Sequence, residues 1–452
     1  MTAALAGAQL QGPHPRHRDD IGEGSVPPVH HTLGGAPVVV AESLTAQDTG
    51  VICGVIYESE AYRIGRAKSG PMMRPLNGLL VLDFSTLLPG PLATLLLAEA
   101  GAQVIKVERP GSGEDMRSYE PPWGASGAIF ALLNRGKKSI SLNLKDPADR
   151  QRLLPLIERA DIIVEQFRPG VMHRLGLDYD TLAAINPRLI YCSISGYGQT
   201  GPRRDNVGHD LNLIAETGFL ALSMGDPQHA VMPPTAIADI AGGSYPAMIN
   251  ILLALAERAQ TGRGRHLDVS MGDGLFSLAY WALGVGWATG RWPGNQTDLV
   301  TGGTPRYRMY VSRDGKAIAA APLEQRFWET FCDIIALPTK FRDDKIDPKA
   351  TTDAVARILR SEDADVWHRR FSARECCCSV VVDMQSAVSD PHFKARGLFD
   401  HTLKNEGGDQ MPALPVPIDA AFRASPELPL SAPSLGCDNG ILPPVQIPPA
   451  RR

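Results

Sequence analysis

A chain of 452 residues exceeds what one simple core accommodates, so two domains are the natural expectation. Apolar residues make up 44% and charged residues 21%, as in ordinary globular proteins, and a net charge of −4 argues against the broad basic face that a nucleic-acid partner needs. No apolar run reaches about 18 residues without interruption, and the N-terminus lacks the order of a secretory signal, so no membrane partner is expected.

Residues 1–72 scatter Gly, Pro, His and Ser without a sustained period, and read as a poorly ordered extension. The histidines there, His14, His17, His30 and His31, have no carboxylate or cysteine spacing that would make a metal site. From Leu76 the pattern changes. Gly78–Ser85 reads as a buried strand, and Pro89-Gly90-Pro91 opens an apolar helix to about Ala100. Gln103–Arg109 and Lys137–Leu144 are the next strands, followed by Asp146-Pro147, a cap and first-turn pair, and a helix to Ala160. Strand Asp161–Phe167, a helix holding Leu175 and Leu182, and strand Arg188–Ser195 continue the alternation. A long helix spans roughly Ser244–Gln260, His266–Met271 returns as a strand, and Asp273 begins a further helix through Trp287.

Strands alternating with helices imply an α/β fold: a Rossmann-like large domain with a mostly parallel sheet. No G-x-G-x-x-G follows the first strand, which speaks against NAD or FAD. A hairpin, Tyr307–Val311 and Ala317–Ala321 about Asp314-Gly315, then starts a smaller α+β domain. The expected division is an extension over 1–72, a large domain over 73–270, and a helical linker over 271–305. A small domain over 306–395 and a C-terminal segment, 396–452, returning to the large domain complete it. The seven cysteines, three of them adjacent at Cys376–Cys378, form neither a zinc pattern nor a disulfide framework, and suit a reduced cytosolic setting.

Ordered motifs along the chain resemble one superfamily. They are Pro89-Gly90-Pro91 with Gly101-Ala102, Lys106–Pro110, Phe167–Val171 with Arg174-Leu175-Gly176, and Ser195–Pro202. Thr261–Gly264 and Pro391-His392-Phe393 with Arg396-Gly397 continue the series. Together they resemble the family III CoA-transferases and α-methylacyl-CoA racemases over about residues 74–430. Gly208-His209-Asp210, Ile237-Ala238-Asp239 with Gly242-Gly243, and Leu323-Glu324 with Phe327 resemble the racemase branch. Thr235 and Leu213 depart from that branch, where asparagine and tyrosine are usual, and bear on substrate choice.

The resemblance implies an acyl-CoA substrate, no cofactor beyond its coenzyme A moiety, no metal, and an interlocked ring-like homodimer. It makes His209 and Asp239 the catalytic pair and Glu324 the partner of His209. The chemistry asks for this: inversion at a thioester α-carbon needs a proton carrier on each face, and donors for the enolate oxygen between the steps. Backbone N–H groups around Gly196–Gly198 or near Asp239 are candidate donors. Read alone, His209 is a surface or satisfied core histidine, Glu324 an exposed helix residue, and Asp239 a helix cap whose carboxyl the helix end would lower. Coenzyme A carries phosphates and an adenine, so Arg109, Lys138, Arg168 and Arg174, with Val171, Tyr197 and Gly198, are expected around it. Trp281, Trp287 and Trp292 read as an acyl path, core or dimer interface. A CoA-transferase with Asp239 as covalent nucleophile, and a CoA-binding protein without turnover, are the rival readings.

Overall fold

The computed structural model describes residues 73–226, 229–427 and 429–444; the N-terminal extension and its histidines lie outside the described residues. Six strands build the main sheet: β1 Leu80–Asp83, β2 Gln103–Glu108, β3 Lys138–Ser141, β4 Ile162–Glu165, β5 Ile190–Ser195 and β6 His266–Ser270. They run parallel in the order β6-β5-β4-β1-β2-β3. This is the doubly wound arrangement, with the order reversing between β1 and β4.

Alternation along β1 explains the two cores. Val81 joins Val104, Ile162 and Ile194 on one face, beneath helices α1 (Pro89–Glu99) and the long Tyr245–Thr261 helix. Leu80 and Leu82 join Ile105, Ile140 and Ile163 on the other, beneath α2 (Pro147–Ile157). Both faces are covered, which is why the central strands β1, β4 and β5 are buried along their whole length. Asp146 caps α2 by accepting the Ala148 N–H at 2.9 Å, as its sequence position implies.

Two expected helices are each broken. The one holding Leu175 and Leu182 is α3 (Val171–Leu175) and α4 (Tyr179–Ile185), because Gly176 turns left-handed at φ 67° and Asp178 caps anew. The one expected from Asp273 begins at Met271 and divides at Ala279 into Met271–Leu278 and Tyr280–Thr289.

The open edge of β3 is covered by the C-terminal stretch. The Ser139 N–H donates to the Asp438 carboxylate and the Ser141 N–H to Asn439, at 2.9 and 2.7 Å, and Leu442 enters the core. A separate three-stranded antiparallel sheet, Arg308–Val311, Ala317–Ala320 and Cys378–Val380, packs on its own core of Trp328, Phe331, Trp367 and Phe371.

Candidate active site

In an open parallel sheet, ligands gather outside the carboxyl ends of the strands, where the order reverses. Two cavities lie there. The first, about 520 Å³, follows β1, β2 and β3; Phe84, Val107, Leu142, Phe167, Val171 and Leu175 wall it, with Arg109, Lys145 and Arg174 supplying positive charge. The second, about 660 Å³, follows β1, β4 and β5, and holds His209 and Asp239. Thr86 and Phe167 line both, so the two form neighbouring parts of one crevice.

A buried polar floor fixes the first cavity. Lys137 Nζ meets Asp83 at 3.1 Å, Lys106 Nζ meets Glu114 at 2.9 Å, and Thr94 donates to Asp83 at 2.7 Å. Burial alone would push the Asp83 carboxyl up, but Lys106 and Lys137 hold it well below the usual carboxylate range. Ser85 and Glu114, members of this network, reach the cavity wall.

His209 precedes helix α5 (Asp210–Glu216), and its own N–H donates to the Asn212 side chain at 3.0 Å. That bond fixes the residue at the helix entrance while leaving its ring exposed. Asp239 stands in a π-helical turn, Ala238–Ser244, leading into α6 (Tyr245–Thr261). Wider turns of this kind recur at functional sites, since they redirect a side chain within a helix. The turn is held on both sides: the Ser244 hydroxyl donates to Pro89 O at 2.8 Å, and the Asp239 N–H donates to Asp210 Oδ1 at 3.0 Å. Leu87, with φ 61°, adds a strained backbone to the same rim.

The expectation that a helix end lowers the Asp239 carboxyl is overturned. Burial pushes it up to about 6, the nearby Asp210 carboxylate pushes the same way, and His209 opposes them. Its cap role also fails, for no side-chain cap bond forms there and the backbone N–H is held by Asp210. Asp210, quoted within the histidine motif but given no role, is the residue sequence reasoning missed. Asp239 therefore becomes a carboxylate only as pH rises through about 6. Asp210→Asn keeps an acceptor for the N–H but removes the like charge. The Asp239 carboxyl, followed by carboxyl 13C NMR, will therefore titrate at lower pH in this variant.

The other expected residues divide. Arg109, Val171 and Arg174 line the first cavity, and Arg168 the second. Lys138 does not join them. It begins β3, at the amino end of a strand whose carboxyl end faces the crevice, and Lys145 beyond that end takes the place. Tyr197 donates to Glu216 at 3.0 Å, and the Gly198 N–H donates to the Ser195 hydroxyl at 3.0 Å, so neither lines a cavity of the crevice. The N–H groups of Gly198 and Asp239, expected as enolate donors, are thus already engaged; Gly196 is the glycine of that loop on the wall. Glu324 precedes the helix Gln325–Ile334, whose Trp328 and Phe331 belong to the separate core, and is not among the residues of the crevice. Trp281 donates to Asp298 at 2.9 Å, while Trp287 and Trp292 stand in the open, 74% and 58% exposed.

Comparison with known proteins agrees with this architecture. The chain is 36% identical over 356 residues to the acetyl-CoA:oxalate CoA-transferase of Acetobacter aceti, covering 76% of this chain and 89% of that protein. It is 32% identical over 355 residues to the human alpha-methylacyl-CoA racemase, covering 76% and 86%. The crystal structure of a CaiB/BaiF family protein from Brucella suis superposes with a TM-score of 0.68 at 28% identity, covering 80% of this chain and 97% of that one. The resemblance read from the motifs holds at the level of the superfamily, whose transferases and racemases are both among the relatives. Residues 76–439 match the model of CoA-transferase family III, and the chain belongs to that family.

Proposed function

We propose that this chain is an acyl-CoA racemase that inverts the α-carbon of a 2-methylacyl-CoA thioester. The observation carrying this reading is that His209 and Asp239, on separate elements, line one cavity beside an apolar slot with cations around it. His209 takes the α-proton from one face, leaving an enolate, and Asp239 returns a proton to the other; the reverse passage exchanges the two roles. A carboxyl near pH 6 suits both roles, since both protonation states are accessible near neutrality. Incubation with a 2-methylacyl-CoA in deuterated water will place deuterium at the α-carbon without any added carboxylic acid. Acceptor-dependent CoA movement with a trapped Asp239 adduct would instead establish the second reading, a CoA-transferase, which the oxalate-enzyme relative favours. Binding of CoA with neither activity would establish a non-catalytic protein.

In this reading the first cavity takes the adenosine end of coenzyme A, its phosphates facing Arg109, Lys145 and Arg174. Arg174→Ala will raise KM for acyl-CoA roughly tenfold with a smaller change in kcat, because a phosphate contact is shared by ground and transition states. Glu324 then serves His209 across an interlocked homodimer. The exposed apolar side chains Ile249, Leu253, Phe276 and Trp287 suit a surface that a second copy covers. A cytosolic setting fits described cysteines that are all free thiols.

A further inference from the structure

Behind the crevice lies a smaller cavity of about 250 Å³, between α3, α4, the carboxyl end of β4 at Glu165, Tyr191 and Ser193 of β5, and His266 at the start of β6. Its polar groups fall into two sets. The acceptors are already engaged. Glu165 accepts the Phe167 N–H at 2.8 Å, and Asp178 accepts the Thr181 N–H and pairs with His173, both at 3.1 Å. Ser193 and His266 bond each other at 2.9 Å, with the Tyr179 ring stacked on the imidazole.

Three donors stand apart. Gln199 is fixed by its backbone N–H, which donates to Asp268 at 3.0 Å, yet its side-chain Nε2 is buried without an acceptor among the described residues. An unmet buried donor costs about 1–3 kcal/mol, so such groups normally have a partner. Arg168 makes no ion pair among the described residues, and Arg204 has only the exposed Asp205, at 3.6 Å. Two guanidinium groups and an unmet amide donor on one small cavity call for a ligand that is all acceptor.

We propose that this annex binds a small carboxylate anion, held by Arg168, Arg204 and the Gln199 side-chain amide. A planar carboxylate matches the fork of a guanidinium and leaves an oxygen lone pair for the amide. Arg168 and Arg204 also line the cavity of His209 and Asp239, so occupancy of the annex reaches the catalytic crevice through two shared side chains. The inference rests on this cavity alone and holds whether the crevice racemises or transfers CoA.

Calorimetric titration of the full chain, without acyl-CoA, with succinate, acetate and inorganic phosphate tests it. Saturable binding of one carboxylate per chain is expected, weaker binding of phosphate, and a loss of about tenfold or more in Gln199→Leu. The same variant will keep its KM for acyl-CoA, which separates the annex from the crevice. Arg204→Lys, which retains charge but not the fork, will weaken carboxylate binding more than phosphate binding. No saturable carboxylate binding, phosphate binding tighter than carboxylate, or equal affinity in Gln199→Leu would each overturn the proposal.

Discussion

On the proposed racemase mechanism, His209→Ala and Asp239→Ala will each lower the rate of inversion by about 10²–10⁴-fold, since each removes the proton carrier of one face. The two variants will differ in isotope exchange. With one base left, a substrate enantiomer presenting its α-proton to that base still exchanges with deuterated water, while inversion stops. Each variant will therefore take up deuterium in one enantiomer only, and the two will prefer opposite enantiomers. His209→Ala will act without global loss of stability, because the ring is exposed and the helix entrance is held by backbone and Asn212. Asp239→Ala keeps the N–H that Asp210 holds, so the π turn is retained as well. Loss of only the Asp239 activity, with His209→Ala near wild type, would move the chain to the transferase reading, where Asp239 alone is indispensable.

The sheet was legible because it is covered on both faces. A strand buried on two sides shows as an apolar run, as β1, β4 and β5 do, while the edge strands β3 and β6 alternate with polar residues and were read from their place in the order. The helix breaks were less so. Gly176 with Asp178 two residues on carried the stop and restart signals, but Leu175 and Leu182 kept one period across them. At Ala279 no Gly or Pro marks a stop, yet the backbone leaves the helix there, at φ −83° and ψ 17°.

Site residues were legible where a motif and a strand end coincide, as at Arg109 and Arg168, and not where the strand's direction decides. Lys138 and Lys145 flank the same strand; only the parallel order says that the second faces the crevice. The rise at Asp239 was hidden because helix position alone argues for the opposite sign, and Asp210 lies twenty-nine residues away in sequence. No periodicity relates Glu324 to His209, which sit on separate cores.

Gly274→Ala will lower stability by about 1–3 kcal/mol, and will reduce kcat beyond what that loss explains. A Cβ on Gly274 would stand 2.5 Å from Gly242 O and 2.6 Å from its Cα. Both are backbone atoms, so no rotamer change relieves the contact. Gly242 is equally tight in return, since its own Cβ would stand 2.3 Å from Met271 O. The pair thus seats the Met271–Leu278 helix directly on the π turn that carries Asp239. Gly274→Ala must push that turn away, and the turn's other anchors, Ser244 on Pro89 and Asp239 on Asp210, resist from the opposite side. The carboxyl moves relative to His209, and a positional error of about 1 Å at a reacting group is worth up to about a hundredfold in rate. Thermal unfolding together with deuterium exchange at a temperature where the variant is fully folded separates the two effects. Reduced stability with an unchanged kcat would mean that the glycines serve packing only, and that the turn holds Asp239 without their help.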